Sequence, residues 1–298
     1  MEPQSTNNKI FLWGMILSMT CWGFSWTAGK VLAGYGNPMT ISFIRFGCTF
    51  LSLVPLLPLL KTKVTIARKG LFDLTIAAVM IALYTFLFFK GLVTGKAGAG
   101  GVLVTVLNPI VSYAFMLVLG RRRPTRNETI GLLLGGIAGV ILTKLFTDPA
   151  SMLHAGNIYF LCASFSWAIL SLFTARSSRY GEPLTFSFYM YLISTLIMLI
   201  AAGISPVVET FRQTDTRFWL NMFFSSTITT ALATTFYFFA TARIGASRAS
   251  SFIFLVPFSA AIGSWIFLSE QPEWHTLLGG LLGISAVLVL NRKEAVPK

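Results

Sequence analysis

The chain repeats one stretch of its own sequence, and this duplication constrains the fold more than any other feature. Segment 35–43 reads YGNPMTISF, and segment 180–188 reads YGEPLTFSF, with Tyr, Gly, Pro, Thr, Ser and Phe in register at an offset of 145 residues. At this offset Trp22 corresponds to Trp167, and at an offset of 148 residues Pro109 corresponds to Pro257. We therefore predict two duplicated units, 1–149 and 150–298.

The composition is typical of a membrane protein. Hydrophobic residues make up 55% of the chain and charged residues 11%, against roughly 45–50% and about 25% in soluble domains. A bilayer core about 30 Å thick requires about 20 apolar residues per helix. The sequence contains ten apolar runs: 10–33, 38–60, 71–92, 97–119, 129–146, 156–175, 183–204, 218–242, 245–268 and 274–290. We expect an all-α integral membrane protein with ten transmembrane helices, five per unit.

The distribution of basic residues predicts the orientation in the membrane. The net charge is +13, but 16 of the 23 Lys and Arg residues fall in the N-terminal tail, the even-numbered loops and the C-terminal tail, against six on the opposite side. Short cytoplasmic loops carry such an excess, so both termini are predicted to be cytoplasmic, in the inner (plasma) membrane of a cell. The basic charge is thus an orientation signal, and no nucleic-acid partner is expected.

Polar and aromatic residues share one face of the first and sixth predicted helices. Trp22 and Trp26 are four residues apart on the first helix, and Trp167 and Ser171 have the same spacing on the sixth. Lipid does not solvate hydroxyl groups, so these faces are expected to point towards the protein interior. Two interpretations remain open: close packing with interfacial anchoring by Trp, or a central binding site.

Arg45 is a charged residue deep within a predicted span, away from its ends. It lies seven residues after Pro38, hence about 10 Å along the second helix. A charge at this depth is costly unless it faces a partner or water, so Arg45 is a functional candidate. The alternative is that it caps the backbone carbonyls of a broken helix. On the third helix, Tyr84 and Phe88 share one face.

Two prolines interrupt equivalent helices of the two units. Asn108-Pro109 and Val256-Pro257 occupy matching places, and each proline removes one backbone donor, so both helices are expected to kink. Freed carbonyls at this depth are tolerated where they line a cavity, and Asn108 adds a polar side chain beside the first. Pro109 and Pro257 are therefore candidate hinges.

Glycines spaced by four residues mark the fifth and tenth helices. Gly131, Gly135 and Gly139 lie on the fifth, and Gly279 and Gly283 on the tenth. Small residues at this spacing allow two helices to approach closely, within one chain or across a dimer. A monomer and a homodimer are both compatible with this pattern.

The acidic residues are confined to tails, loops and helix ends. They are Glu2, Asp73, Glu128, Asp148, Glu182, Glu209, Asp215, Glu270, Glu273 and Glu294. No carboxylate is therefore expected at mid-membrane depth to carry a proton or bind sodium. The sequence also lacks a metal-binding cluster, a catalytic dyad and a nucleotide-binding motif, so we expect neither a cofactor nor an enzyme.

Taken in order, these motifs resemble the drug/metabolite transporter superfamily, and within it the ten-helix EamA-type exporters. The resemblance rests on the duplicated units, the Arg45-Phe46 pair of helix two, the two Pro helices, and Leu268-Ser269-Glu270 leading into the Gly279–Gly283 helix. In that family helices four and nine commonly end in Gly-Glu. Glu270 matches this ending, whereas Arg122 occupies the equivalent position of the first unit.

The resemblance implies two inverted repeats around a central cavity, alternating access and a small-molecule substrate. Five spans per unit agree with inversion, because an odd number reverses the second copy. Amino acids, including aromatic ones as in exporters of the YddG type, are the expected substrates. A nucleotide-sugar or other metabolite transporter of the same fold is the alternative, and an integral membrane enzyme acting on lipid is the remote one.

The predicted site combines residues of both units, with aromatic faces for an apolar side chain and Asn108 for polar groups. The predicted substrate-binding residues are Trp22, Trp26, Tyr84, Phe88, Asn108, Trp167, Ser171 and Tyr237. The predicted gating or structural residues are Arg45, Pro109, Pro257 and Glu270.

Overall fold

The computed structural model describes residues 3–120, 123–150, 156–237 and 252–290. Helices account for the regular structure of these residues, which confirms the predicted all-α fold. The predicted cytoplasmic termini, Arg122 and the junction of the eighth and ninth runs lie outside the described residues. The described residues contain ten principal helices, which we number α1 to α10, and each overlaps one of the ten apolar runs.

The helices are α1 (Pro3–Leu32), α2 (Pro38–Leu53), α3 (Leu71–Thr94), α4 (Ala97–Gly120), α5 (Arg126–Leu142), α6 (Asn157–Thr174), α7 (Pro183–Ala202), α8 (Thr216–Phe223), α9 (Leu255–Leu268) and α10 (Trp274–Leu290). α8 continues directly as a π-helix, Phe224–Ala233. A 3₁₀ turn, Phe252–Phe254, precedes α9. Two short helices, Leu56–Leu59 and Ile204–Gln213, lie between the principal ones.

Local sequence signals explain several helix starts. The Asn37 side chain accepts a hydrogen bond of 2.9 Å from the Thr40 amide, and Pro38 occupies the first turn of α2, where its missing N–H is not needed. α5 begins with a capping box in which Thr125 and Glu128 satisfy each other's backbone amides. Asp215 caps α8 by accepting from the Phe218 amide.

Proline and glycine end α2 and α7 before their apolar runs end. The run 38–60 predicts one helix, but α2 ends at Leu53 because Pro55 and Pro58 follow, and the chain forms a separate short helix. The run 183–204 also predicts one helix, but α7 ends at Ala202. Gly203 adopts a φ of +76°, and this residue turns the chain into the short helix Ile204–Gln213. Hydropathy registers neither break, since the residues on both sides are apolar.

The two units pack mainly against each other. The counterpart of α1 in the second unit is α6, and the counterpart of α9 in the first unit is α4. Accordingly, α1 packs on α9 and α6 packs on α4, so each of these contacts is the equivalent of the other. The α3–α6 contact is likewise equivalent to the contact between α1 and the π-helix that continues α8. In three further contacts a helix packs on its own counterpart: α2 on α7, α4 on α9 and α5 on α10. The duplicated sequence therefore forms two interlocked halves.

Two of the patterned glycines bring α5 and α10 together within one chain, and the other three, Gly135, Gly139 and Gly283, face Ile110, Leu107 and Val106 of α4. A Cβ atom placed on Gly131 would lie 2.6 Å from Leu290, and one on Gly279 would lie 2.6 Å from Leu142. Both distances are too short for a stable contact, so glycine is required for this approach. Packing inside the chain therefore accounts for the glycine pattern.

Several helices meet the requirements of a membrane span by length and composition. Among the described residues, the five long apolar segments are Pro38–Leu59, Arg68–Thr94, Ala97–Phe115, Asn157–Arg179 and Pro183–Ala202. Phe252–Leu268 and Trp274–Leu290 are shorter apolar helices. Their outer faces expose large hydrophobic side chains such as Ile200 and Trp265, which is expected of a surface in contact with lipid.

Candidate functional site

A cavity of about 400 Å³ lies between the two halves. This volume falls in the range of small-molecule sites. Nine of the principal helices contribute to its wall, α8 through its π-helical continuation. The polar, charged and aromatic lining residues are Trp22, Ser25, Trp26, Arg45, Phe46, Thr49, Tyr84, Thr85, Thr105, Asn108, Ser112, Trp167, Ser171, Tyr191, Thr229, Thr230, Thr234 and Phe254.

The two duplicated tryptophans each pack on a tyrosine of the opposite half. The ring centroids of Tyr84 and Trp167 are 4.8 Å apart, and those of Trp22 and Tyr237 are 5.5 Å apart. Both tryptophans and Tyr84 line the cavity, whereas Tyr237 supports Trp22 from outside the lining. The predicted aromatic residues are thus brought together from both halves, as two tilted pairs.

Trp26 lines the cavity from a buried position and rests on a second aromatic layer. Its ring lies 4.7 Å from Phe88 and 5.7 Å from Phe160, in edge-to-face geometry. Phe88, predicted to bind substrate, does not line the cavity. It is buried behind Trp26 and Tyr84 and fixes their orientation.

Arg45 brings the positive charge of the lining into the cavity. Its guanidinium lies over the rings of Phe88 and Phe89, with its Cζ 5.3 and 5.8 Å from their centroids. Its hydrogen bond within the described residues goes to Thr230 Oγ1 at 3.5 Å, and none goes to a backbone carbonyl. The described contacts of Arg45 therefore do not match the alternative in which its guanidinium caps backbone carbonyls of a broken helix.

Asn108 and Pro109 place hydrogen-bond acceptors at the cavity wall. Pro109 lies inside α4, so the Thr105 carbonyl has no helical amide partner four residues on. Asn108 Oδ1 is buried and has no hydrogen-bond partner in the described part of the chain. A buried acceptor without a donor is costly, and a ligand that donates a hydrogen bond relieves the cost.

The two prolines are not structurally equivalent. Pro257 lines the cavity but lies in the first turn of α9, directly after the 3₁₀ turn. The first amides of a helix have no helical partner, so Pro257 removes no bond that α9 would otherwise make. The predicted kink within the ninth helix is therefore absent from the described residues, and of these two prolines Pro109 is the one that lies in the middle of its helix.

The predicted site residues do not include the hydroxyl wall that the π-helix provides. The seven Ser and Thr residues between Ser225 and Thr235 are nevertheless too many for a wholly lipid-facing segment, and they predict that part of this helix faces protein or water. Thr229 and Thr230 line the cavity from this segment, with Thr234 just after it. Thr230 Oγ1 donates to the Ser225 carbonyl five residues earlier, at 2.7 Å. π-Helical turns are rare and concentrate at functional sites, and the wider backbone here carries threonines into the site. Tyr191 was also missed, although it stands 145 residues after Phe46 in the duplicated register.

Ser171 lines the cavity but donates its hydroxyl hydrogen bond to the Trp167 carbonyl at 2.8 Å. Its oxygen remains an acceptor towards the cavity. Of the polar residues on α6, Ser171 is therefore the one placed beside Trp167 in the site.

Glu270 lies away from the cavity, where α9 ends and α4 begins. Its Oε2 accepts a hydrogen bond from the Gly98 amide at 3.2 Å. Burial raises the pKa of this carboxyl, and the hydrogen bond and the nearby Lys30 act in the opposite direction. Glu270 thus joins the two halves at this end of the bundle.

Glu273 forms a second link at the same end. It pairs with Lys144 at 2.6 Å and with Lys96 at 2.8 Å, both from the first half, and it lies 3.4 Å from His275. The hydrogen bonds from Lys144 and Lys96 lower the pKa of the Glu273 carboxyl to about 2. This carboxylate therefore ties three segments together.

The apolar helices and the cavity between them are features of a multi-pass membrane protein. The EamA-like transporter family matches the chain twice, over residues 9–145 and over residues 154–292. The chain belongs to this family, which confirms the resemblance predicted from the sequence.

Named relatives and a solved structure agree with this assignment. The transporter YoaV of Bacillus subtilis (strain 168), described as uncharacterized, is 25% identical over 280 residues, which cover 92% of this chain and 94% of that protein. A WAT1-related chloroplastic protein of Arabidopsis thaliana is 23% identical over 304 residues and covers 95% of this chain and 70% of its own length. In fold, the chain is similar to a crystal structure of 13% identity at a TM-score of 0.61, over 92% of this chain and 94% of that one.

Proposed function

We propose that this protein exports amino acids, aromatic ones included, across the inner membrane by facilitated, alternating-access transport. The observation that carries the proposal is the chemistry of the cavity: aromatic walls from both halves, one guanidinium, and acceptors at Asn108 and Thr105. The aromatic walls match an apolar side chain, and the polar groups match the carboxylate and ammonium of an amino acid.

The shape of the cavity supports export. It extends from the middle of the bundle towards the end where α6 and α10 finish and α9 begins, since its lining includes Ser171, Val287 and Ile253. Under the predicted topology this end faces the cytoplasm. The opposite end holds the Glu270 and Glu273 contacts, and we therefore assign this arrangement to the cytoplasm-facing state of the proposed cycle.

The interlocked halves support alternating access. In inverted-repeat transporters the two halves exchange conformations around a fixed central site. Here each principal contact between helices of the two halves has an equivalent contact in the duplicated register. A second state can therefore form when each half adopts the conformation that the other half has in this structure. A monomer is sufficient for this cycle, because both halves of the cavity come from one chain.

Counterflow in proteoliposomes tests the proposal. Vesicles are loaded with one unlabelled compound from a panel of amino acids, amines, sugars and nucleotide sugars, and the entry of labelled phenylalanine is measured. We expect entry to be fastest in vesicles loaded with aromatic and large apolar amino acids. Trp265→Ala, on the lipid-facing surface of α9, is the control for Trp167→Ala in the cavity. Stimulation by nucleotide sugars alone would overturn the amino-acid assignment.

A further inference from the structure

The cavity holds a positive charge with no negative counter-charge among the residues that line it. Arg45 has no carboxylate within ion-pair distance in the described residues. The acidic residues of these ranges lie elsewhere: Asp73 contacts Tyr180, Glu128 contacts Tyr113, and Asp215 contacts Tyr35. The resulting excess of positive charge favours an anionic group in the bound ligand.

The Arg45 guanidinium has unused hydrogen-bonding capacity. It carries five N–H donors, and its hydrogen bond to the described chain is the 3.5 Å contact with Thr230. Phe88 and Phe89 compensate the charge through their ring faces but accept no strong hydrogen bond. A carboxylate can accept two parallel hydrogen bonds from such a group, which is the arrangement that guanidinium geometry favours.

The groups available to an ammonium are different in kind. Asn108 Oδ1 and the Thr105 carbonyl are neutral acceptors, and they serve a hydroxyl or an amide N–H as well as an ammonium. An ammonium also shares the cavity with the Arg45 charge, and like charges in a poorly solvated space repel. Among the described residues, the wall therefore contains a strong partner for a carboxylate and no charged partner for an amine.

We propose that the carboxylate is the obligatory head group of the substrate and that the amino group is dispensable. The site then accepts aromatic monocarboxylates without an amino group, as well as aromatic amino acids, and it excludes the corresponding amines. Arg45 is the residue that determines this selectivity. The inference rests on the proposed function, since it concerns the substrate of the same cavity.

A set of matched compounds tests the inference on the purified full-length protein. Binding of phenylalanine, 3-phenylpropionate, phenethylamine and phenylalanine amide is followed by quenching of tryptophan fluorescence and by competition in counterflow. We expect 3-phenylpropionate to bind within about tenfold of phenylalanine, and both amine compounds to bind at least about 30-fold more weakly, as expected for a lost buried charge pair. Phenethylamine binding as tightly as 3-phenylpropionate would overturn the inference.

Variants assign the effect to Arg45. Arg45→Met introduces the side chain found at the duplicated position, Met190, and should abolish the preference for carboxylates, whereas Arg45→Lys should retain most of it. Arg212→Met, on the exposed short helix 204–213, is the control for loss of a basic residue. If Arg45→Met does not fold, the ligand series on the parent protein decides by itself.

The outcomes separate this inference from the proposed function. Binding and transport of 3-phenylpropionate without phenylalanine would refute amino-acid export and support the carboxylate rule. Equal transport of phenylalanine and phenethylamine would support export of amino compounds and refute the carboxylate rule.

Discussion

The two halves of the cavity share a framework but differ in chemistry. At the position where the first half has Arg45, the second half has Met190, which is buried and does not line the cavity. The neighbouring pair, Phe46 and Tyr191, lines the cavity from both halves. The duplication therefore supplies symmetric aromatic walls, and a single substitution gives one wall its charge.

The third helix of each half shows a second difference. α3 is a continuous α-helix that presents Tyr84, whereas its counterpart α8 widens into a π-helix that presents threonines. Tyr84 packs on Trp167 of the second half, and the π-helical Thr230 contacts Arg45 of the first. Each half thus completes the site of the other, so the site exists only when both halves are assembled.

The largest expected effect concerns the orientation of the two halves. Arg123 and Gln271 are equivalent in the 148-residue register, and both are exposed. In a background with Cys21, Cys48 and Cys162 replaced by Ala, we expect Arg123→Cys to react with an impermeant thiol reagent only from the cytoplasm. Gln271→Cys should react only from outside, because the second half is inverted. Labelling of both cysteines from the same side would break the inverted arrangement.

The paired tryptophans come next. Trp167→Ala removes the ring that packs on Tyr84, and we expect counterflow of phenylalanine to fall about tenfold at unchanged expression. Trp22→Ala should act similarly, since its ring occupies the duplicated position. Normal transport by variants at Trp22, Tyr84 and Trp167 would show that the substrate binds elsewhere.

The two prolines should have unequal effects. Pro109→Ala restores the amide that bonds to the Thr105 carbonyl, which adds about 1 kcal/mol to the straight helix and should slow exchange several-fold. Pro257→Ala should change exchange less, because that amide lies in the first turn of α9. From these helix positions we expect the main hinge at Pro109, whereas the sequence predicts hinges at both prolines. Equal slowing by both substitutions, measured as substrate exchange at saturation, would restore the symmetric view.

The sequence locates much of the site because duplication places equivalent residues at equivalent depths. Trp22 and Trp167 are found in this way, and Arg45 stands out because charge is rare in a span. Tyr191 could have been found from the same register. Phe88 shares a helix face with Tyr84, but spacing cannot tell which of two such residues reaches the cavity and which packs behind it.

The π-helix cannot be predicted from the pattern. Segment 224–233 has hydroxyl residues at most turns, so it has no apolar period that distinguishes the α-helix from a wider one. The sequence pattern also does not reveal that Pro257 lies in the first turn of α9. Apolar residues continue upstream of Leu255 without a capping signal, so hydropathy does not reveal the 3₁₀ turn Phe252–Phe254 that precedes α9.

The smallest expected effect concerns the ionic link between the halves at Glu273. Its pKa in the folded protein is about 2, below the ordinary 4.5, so its contribution to stability is complete above pH 4.5 and is lost as the pH falls towards 2. Because the side chain is 42% exposed, we expect only about 1 kcal/mol. Glu273→Gln should lower the thermal unfolding midpoint at pH 7, and the lowering should be smaller at pH 3 and vanish near pH 2.

Glu209→Gln is the control for this measurement, because Glu209 is exposed on the short helix 204–213. A Glu273→Gln variant as stable as the parent at pH 7 would show that the Lys96 and Lys144 pairs do not hold the halves together.

The central claim is that the cavity transports its substrate without a coupled ion. Proton or sodium coupling normally requires a carboxylate or histidine whose charge or ligation changes within the membrane, and the described residues that line the cavity include neither. Arg45 does not release its proton at physiological pH. The direct test is uptake of labelled phenylalanine into proteoliposomes with an imposed pH or sodium gradient, no substrate gradient and the membrane potential clamped to zero. The account predicts equal phenylalanine concentrations on both sides at equilibrium, and accumulation above that level under either gradient would contradict it.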